Sequence, residues 1–282
     1  MNEGVATLHE RRIYELTTWQ VPGPFEKIPS LLYHRADLPG PKPAIVYYHG
    51  VVQSKETYVD SHGTARRLAD AGFVVAIPDA PGHGQRDLGA SLVPRLRESL
   101  PREFCADIEQ AADESADLLD WLAARPEVDA RRLGVAGVSM GGFTAAVVAA
   151  RARERLRAAV CVAGCADLTQ CMATTDSIAP GKWGPSDRAI DEETRDRIAR
   201  IDPLNYPERF APLPLLLLHG DRDTWNPCET SERFAAAVAP AYASCPDDFR
   251  CTIVPGAVHW PPSPAIVGAA VAWFTQHVAA AT

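Results

Sequence analysis

A chain of 282 residues, 46% hydrophobic and 23% charged, has an ordinary globular composition and is long enough to bury a large core within one domain. A formal net charge of −8 with only short runs of one sign argues against nucleic acid or an anionic membrane as partner. Seven cysteines without paired C-x-x-C spacing argue against both a disulfide framework and a zinc site, and no metal or cofactor is expected. No apolar stretch approaches the ~18 residues of a membrane span, and the polar start from Met1 to Arg12 does not read as a signal peptide. A cytoplasmic protein with reduced thiols is the expectation.

In chain order, residues 13–19 and 31–35 are rich in β-formers and predict an antiparallel edge. From Ala44 onward, short apolar strands alternate with amphipathic helices, the pattern of a mostly parallel sheet covered by helices on both faces. The strands are expected at 44–48, 73–78, 132–136, 158–163, 213–218 and 251–254, and the helices at 64–71, 106–124, 142–152, 192–201, 229–239 and 264–280. Ile108, Ala111, Ala112, Leu119 and Leu122 give the 106–124 segment one apolar face. The cations Arg151, Arg153, Arg155 and Arg157 stand where a helix ends and complement its dipole. Two stretches, 85–102 and 166–212, break the rhythm. Each follows the carboxyl end of a strand, where open α/β sheets bind ligands, so 166–212 is expected to form a small lid-like insert in a single domain spanning 1–282.

The chemistry centres on Gly137-Val138-Ser139-Met140-Gly141-Gly142, which lies between a predicted strand and a predicted helix. A serine on such a sharp turn has the setting of a nucleophile elbow, and glycines two positions to either side relieve crowding there. The serine needs a base. His49, His83 and His219 each precede a glycine and read as loop braces; His9 and His34 precede the main sheet, His62 leads into a helix, and His277 lies in the last one. His259 is left, in the loop after the last strand, and it falls last in the order serine, acid, histidine that this elbow predicts. The acid should emerge from the strand 213–218, where Asp221 and Asp223 both qualify. An oxyanion hole needs two N–H donors: the backbone of Met140, directly after the serine, and one from His49-Gly50-Val51-Val52, with Val51 favoured over Val52.

These motifs, together with Ser54-Lys55-Glu56, Pro78-Asp79 leading to Gly82-His83-Gly84, and His219-Gly220-Asp221-Arg222-Asp223, resemble the α/β-hydrolase superfamily from about Pro41 to Trp273. Within it the chain is similar to bacterial carboxylesterases of the dienelactone-hydrolase and prolyl-oligopeptidase-like group. The resemblance implies an α/β-hydrolase fold and a serine esterase acting on a small-molecule ester, with Ser139 as nucleophile, His259 as base and Asp223 as its partner. In those families the acid lies three positions past the strand-end glycine, which selects Asp223; Asp221 is then expected to fix its own turn through backbone N–H bonds. Dienelactone hydrolases carry cysteine at the elbow, so the serine here weakens lactone hydrolysis. Prolyl peptidases carry a large propeller domain that 282 residues do not accommodate, which weakens peptidase activity. Thioester, amide or carbon–carbon cleavage on the same site and a non-catalytic ligand-binding role are the rival readings, and a homo-oligomer is compatible with all of them. Trp183, Trp225 and Trp260 fall in loops above the sheet and are candidates for lining the pocket.

Overall fold

The computed structural model describes residues 14–60, 63–86, 92–174 and 189–280. Trp183 lies outside them. Eight strands form one sheet: β1 (Tyr14–Val21), β2 (Ile28–Arg35), β3 (Lys42–Tyr48), β4 (Val74–Pro78), β5 (Val128–Val138), β6 (Ala158–Val162), β7 (Leu215–Gly220) and β8 (Phe249–Val254). Their spatial order is β1-β2-β4-β3-β5-β6-β7-β8. β1 pairs antiparallel with β2, and β2 antiparallel with β4, while every pair from β4 to β8 is parallel. The early β-forming segments thus make the antiparallel edge, and the carboxyl ends of β3, β5, β6, β7 and β8 share one rim.

The helices are α1 (Thr57–Asp60), α2 (Thr64–Asp70), α3 (Leu92–Glu98), α4 (Leu100–Asp113), α5 (Ser115–Ala123), α6 (Met140–Arg151), α7 (Leu168–Thr174), α8 (Glu192–Ile201), α9 (Glu229–Val238) and α10 (Pro264–Phe274). Successive strand residues point to opposite faces, which divides the core in two. Val46, Val135, Leu215 and Leu217 pack with Phe104, Phe143 and Phe234 of α4, α6 and α9. Ile45, Tyr47, Leu216 and Leu218 pack on the other face with Leu68 of α2 and Ile266 and Phe274 of α10. Among the described residues, no helix is long and apolar enough to cross a membrane.

Two expectations need revision, the single helix over 106–124 and the irregular stretch 85–102. The segment 106–124 is two helices, because the Ser115 hydroxyl donates to the Ala112 carbonyl at 2.6 Å and the Glu114 side chain turns in to grip Arg86 at 2.6 and 2.7 Å. The first of them starts at Leu100, after an extended Ser99 and with Pro101 in its first turn, so the stretch 85–102 is partly helical. In the 166–212 stretch, Leu168, Cys171, Met172, Ile198, Ile201 and Phe210 all join the main core. Arg197 and Arg200 on α8 both bind Glu109 of α4. Of the cations around the end of α6, Arg151 pairs with Asp113 and Arg155 with Asp120, so they bind neighbouring helices as well as standing near a helix end.

Candidate active site

Ser139 sits between β5 and α6 with φ 56° and ψ −123°, a conformation that a residue with a Cβ adopts only under constraint. The constraint is visible on both sides. A Cβ on Gly137 would lie 2.0 Å from the Gly141 carbonyl oxygen, and one on Gly141 would lie 2.1 Å from the Tyr48 carbonyl oxygen. Only glycine lets the helix start so close to the strands, and the Ser139 N–H is fixed by the Val162 carbonyl at 2.8 Å.

Three chain segments converge on this serine. His259, in the loop after β8, places Nε2 2.9 Å from Ser139 Oγ. Its Nδ1 lies 2.7 Å from Asp223 Oδ2, in the loop after β7. Ser139 is 6% exposed and His259 5%, and the Asp223 side chain is fully buried. The other carboxylate oxygen, Asp223 Oδ1, accepts the N–H groups of Trp225 at 2.8 Å and Asn226 at 2.9 Å. Burial opposes ionisation of Asp223, but hydrogen bonds from His219 and His259 outweigh it and hold the carboxyl well below the usual carboxylate range. A buried serine hydroxyl bonded to an imidazole that is itself held by an ionised carboxylate can transfer its proton as it attacks an electrophile.

Asp221 takes a different place. Its Oδ1 accepts the Gly256 N–H at 2.6 Å, on the neighbouring histidine-bearing loop, where a bond within its own turn was expected.

The loop after β3 reaches the serine from the other side. A Cβ on Gly50 would stand 3.5 Å from Ser139 Cβ. The Gly50 N–H is taken by Gln53 Oε1 at 2.9 Å, whereas the Val51 and Met140 N–H groups find no acceptor among the described residues. A buried ion pair anchors this loop: Lys55 Nζ bonds Asp79 Oδ2 at 2.7 Å and the Lys55 N–H bonds Asp79 Oδ1 at 2.9 Å, both side chains being fully buried. His49 Nε2 accepts the Ala80 N–H at 2.9 Å and His83 Nδ1 donates to the Pro81 carbonyl at 2.7 Å, so both rings brace loops. Burial pushes His49 below its ordinary value and His83 down to about 3.

Of the tryptophans, Trp225 lies against the His259 ring, with centroids 4.6 Å apart, and Trp260 meets Tyr58 edge-on at 5.5 Å. Two further residues escaped the sequence reading. His219, taken there for a loop brace, contacts Asp223 Oδ2 at 3.0 Å. Asn226 ties the acid loop to the residue that follows β6, its side-chain amide donating to the Ala163 carbonyl at 2.7 Å. For His219 a signal existed: it stands near the end of the strand, four residues before Asp223.

The Prolyl oligopeptidase family profile matches residues 60–280. Among curated relatives, the chain is 30% identical over 241 residues to Esterase YjfP of Escherichia coli, covering 84% of this chain and 90% of that protein. It is 26% identical over 221 residues to Dipeptidyl-peptidase 5 of Porphyromonas gingivalis, covering 77% of this chain but 30% of that one. The crystal structure of TT1662 from Thermus thermophilus shares the fold, with a TM-score of 0.68, 23% identity, and coverage of 95% of this chain and 100% of that one. The chain therefore spans about a third of the peptidases it resembles and nearly all of the esterase. With its mostly parallel sheet, its serine elbow and a family match over most of its length, the chain belongs to the prolyl oligopeptidase family and is an esterase-like serine hydrolase of the α/β-hydrolase fold.

Proposed function

We propose that the chain hydrolyses small carboxylic esters through a covalent acyl-enzyme on Ser139. The observation that carries this reading is the unbroken line from Ser139 Oγ through His259 to Asp223, with steps of 2.9 and 2.7 Å. His259 Nε2 takes the hydroxyl proton as Ser139 Oγ bonds to the ester carbonyl carbon. The N–H groups of Val51 and Met140 meet the oxyanion that forms, and the dipole at the start of α6 adds to them. As the tetrahedral intermediate collapses, the bond to the alcohol oxygen breaks and His259 returns the proton to that oxygen. Water then attacks the acyl-enzyme with His259 Nε2 taking its proton; the bond from the acyl carbon to Ser139 Oγ breaks, His259 returns the proton to that oxygen, and the acid leaves. Asp223 holds the ring with Nδ1 protonated throughout.

The 30% identity to an esterase over nearly its whole length favours esters over peptides. Trp225 and Trp260 supply an apolar wall that suits small acyl or aryl groups better than charged ones. A second reading, cleavage of an amide or peptide bond on the same serine, is favoured by the family match and by the likeness to Dipeptidyl-peptidase 5. Fluorophosphonate labelling followed by peptide mapping tests the nucleophile, and turnover of p-nitrophenyl acetate and butyrate against matched aminoacyl p-nitroanilides tests the bond. Label on Ser139 with ester turnover dominating is expected. Faster anilide cleavage would select the peptidase reading, and a folded protein that takes no label would be a non-catalytic receptor.

A further inference from the structure

His219 is the penultimate residue of β7, its side chain is fully buried, and its ring is partnered at both nitrogens. Nε2 lies 3.0 Å from Asp223 Oδ2 and 3.0 Å from the Asn226 carbonyl oxygen. Two oxygen acceptors face this nitrogen, so it carries a proton in either charge state of the ring. Nδ1 lies 2.7 Å from Ser231 Oγ on α9, and that hydroxyl stands 3.4 Å from Cys165 Sγ after β6. With Nε2 protonated in the neutral ring, Nδ1 accepts from Ser231, whose oxygen is then free to accept from the thiol. Asp223 Oδ2 is thereby shared between two imidazoles, His259 at 2.7 Å and His219 at 3.0 Å.

We infer that His219 is a positioning residue for the Ser139–His259–Asp223 relay, donating to the very carboxylate oxygen that orients His259 and so limiting how strongly that oxygen holds the His259 proton. The inference rests on the triad reading above. A carboxylate oxygen accepting two charge-assisted hydrogen bonds offers each donor less than one accepting a single bond. Without His219, all of Oδ2 would be left to His259. The imidazolium would gain, and His259 would become competent as a base only at higher pH.

The other titratable groups facing this pair do not substitute for it. Cys165 lies after β6, Cys171 on α7 and Cys228 before α9. Burial raises all three thiols, Cys165 to about 12. Glu229 and Glu232 at the start of α9 are exposed to solvent.

The test uses the full chain with His219→Phe and His219→Gln, the pH profile of kcat/KM on p-nitrophenyl acetate, and thermal unfolding of each. In His219→Phe the acid limb should move up by about one pH unit, the size of one hydrogen bond to a charged group. His219→Gln offers an amide N–H in place of Nε2–H and should return the limb most of the way. An unmoved limb in His219→Phe, or an equal shift in both variants, overturns the inference. If His219→Phe does not fold, nitrogen NMR of histidine-labelled wild-type chain decides: Nε2–H at His219 is expected, and a Nδ1–H tautomer overturns it. Failure of the triad reading looks different, since Ser139→Ala would then keep its turnover or the fluorophosphonate would label another residue.

Discussion

Asp221 Oδ1 accepts the Gly256 N–H at 2.6 Å, so the loop bearing the acid and the loop bearing the histidine are joined by a bond outside the Ser139–His259–Asp223 line. The Asp221 N–H to the Val254 carbonyl and the Arg222 N–H to the Ala257 carbonyl extend the same seam. The two aspartates of one short turn therefore serve different atoms.

That difference separates their mutants. Asp223→Asn should fold and lose kcat by several orders of magnitude, because the amide favours the wrong imidazole tautomer; the analogous change in a serine protease costs about ten-thousandfold. Asp221→Ala removes an exposed acceptor and should lower stability by about 1 kcal/mol or less while turnover persists. Turnover and thermal unfolding measured on both variants check this. An active Asp223→Asn would refute the assignment.

Ser139 and His259 share one hydrogen bond and one proton, so their losses should not add. Ser139→Ala should abolish nearly all ester turnover, and Ser139→Ala with His259→Ala should be little worse. Kinetics on the two single variants and the double give the cycle, and near-additive losses would show that the residues act separately.

Asp107 on α4 is buried, and burial pushes its carboxyl up to about 7 despite Arg95 at 3.3 Å. In the unfolded chain an aspartate ionises near ~3.9. Between those values the folded state holds a proton that the unfolded state has lost, so this group makes stability fall as pH rises through the window. Asp107→Asn should therefore stabilise the protein at pH 8 by roughly 1–3 kcal/mol and give little or no gain at pH 4. His83, held down at about 3, acts with the opposite sign: its contribution is present above the unfolded value near ~6.5 and is lost as pH falls toward 3. Urea unfolding at the two pH values checks the aspartate, and a variant less stable than wild type at pH 8 would contradict it.

Trp225 covers one face of the His259 ring, whereas Trp260 meets Tyr58, whose hydroxyl accepts the Gly50 N–H at 3.3 Å. Trp225→Ala should lower kcat several-fold by loosening the imidazole and admitting water. Trp260→Ala should mainly alter preference among acetyl, butyryl and longer esters. A chain-length series on each variant distinguishes the two, and unchanged preference in both would remove the aromatic wall from the account.

Local sequence was sufficient for the strands, most helices and the order of Ser139, Asp223 and His259, because strand burial, helix periodicity and the glycines of the elbow are each decided within a few residues. The kink at Glu114 was not legible: it depends on Arg86, 28 residues away along the chain. The offset from the strand-end glycine singled out Asp223 through the family resemblance alone; that Asp221 reaches across to Gly256 was not legible, since it depends on what the loop after β8 brings opposite it. His219 shows the limit most plainly. Its neighbours in sequence make it a strand-end histidine beside a glycine. Its contacts with Asp223, Asn226 and Ser231 arise because β7, the acid loop and α9 fold around one buried ring, whose polar atoms had to find partners away from water.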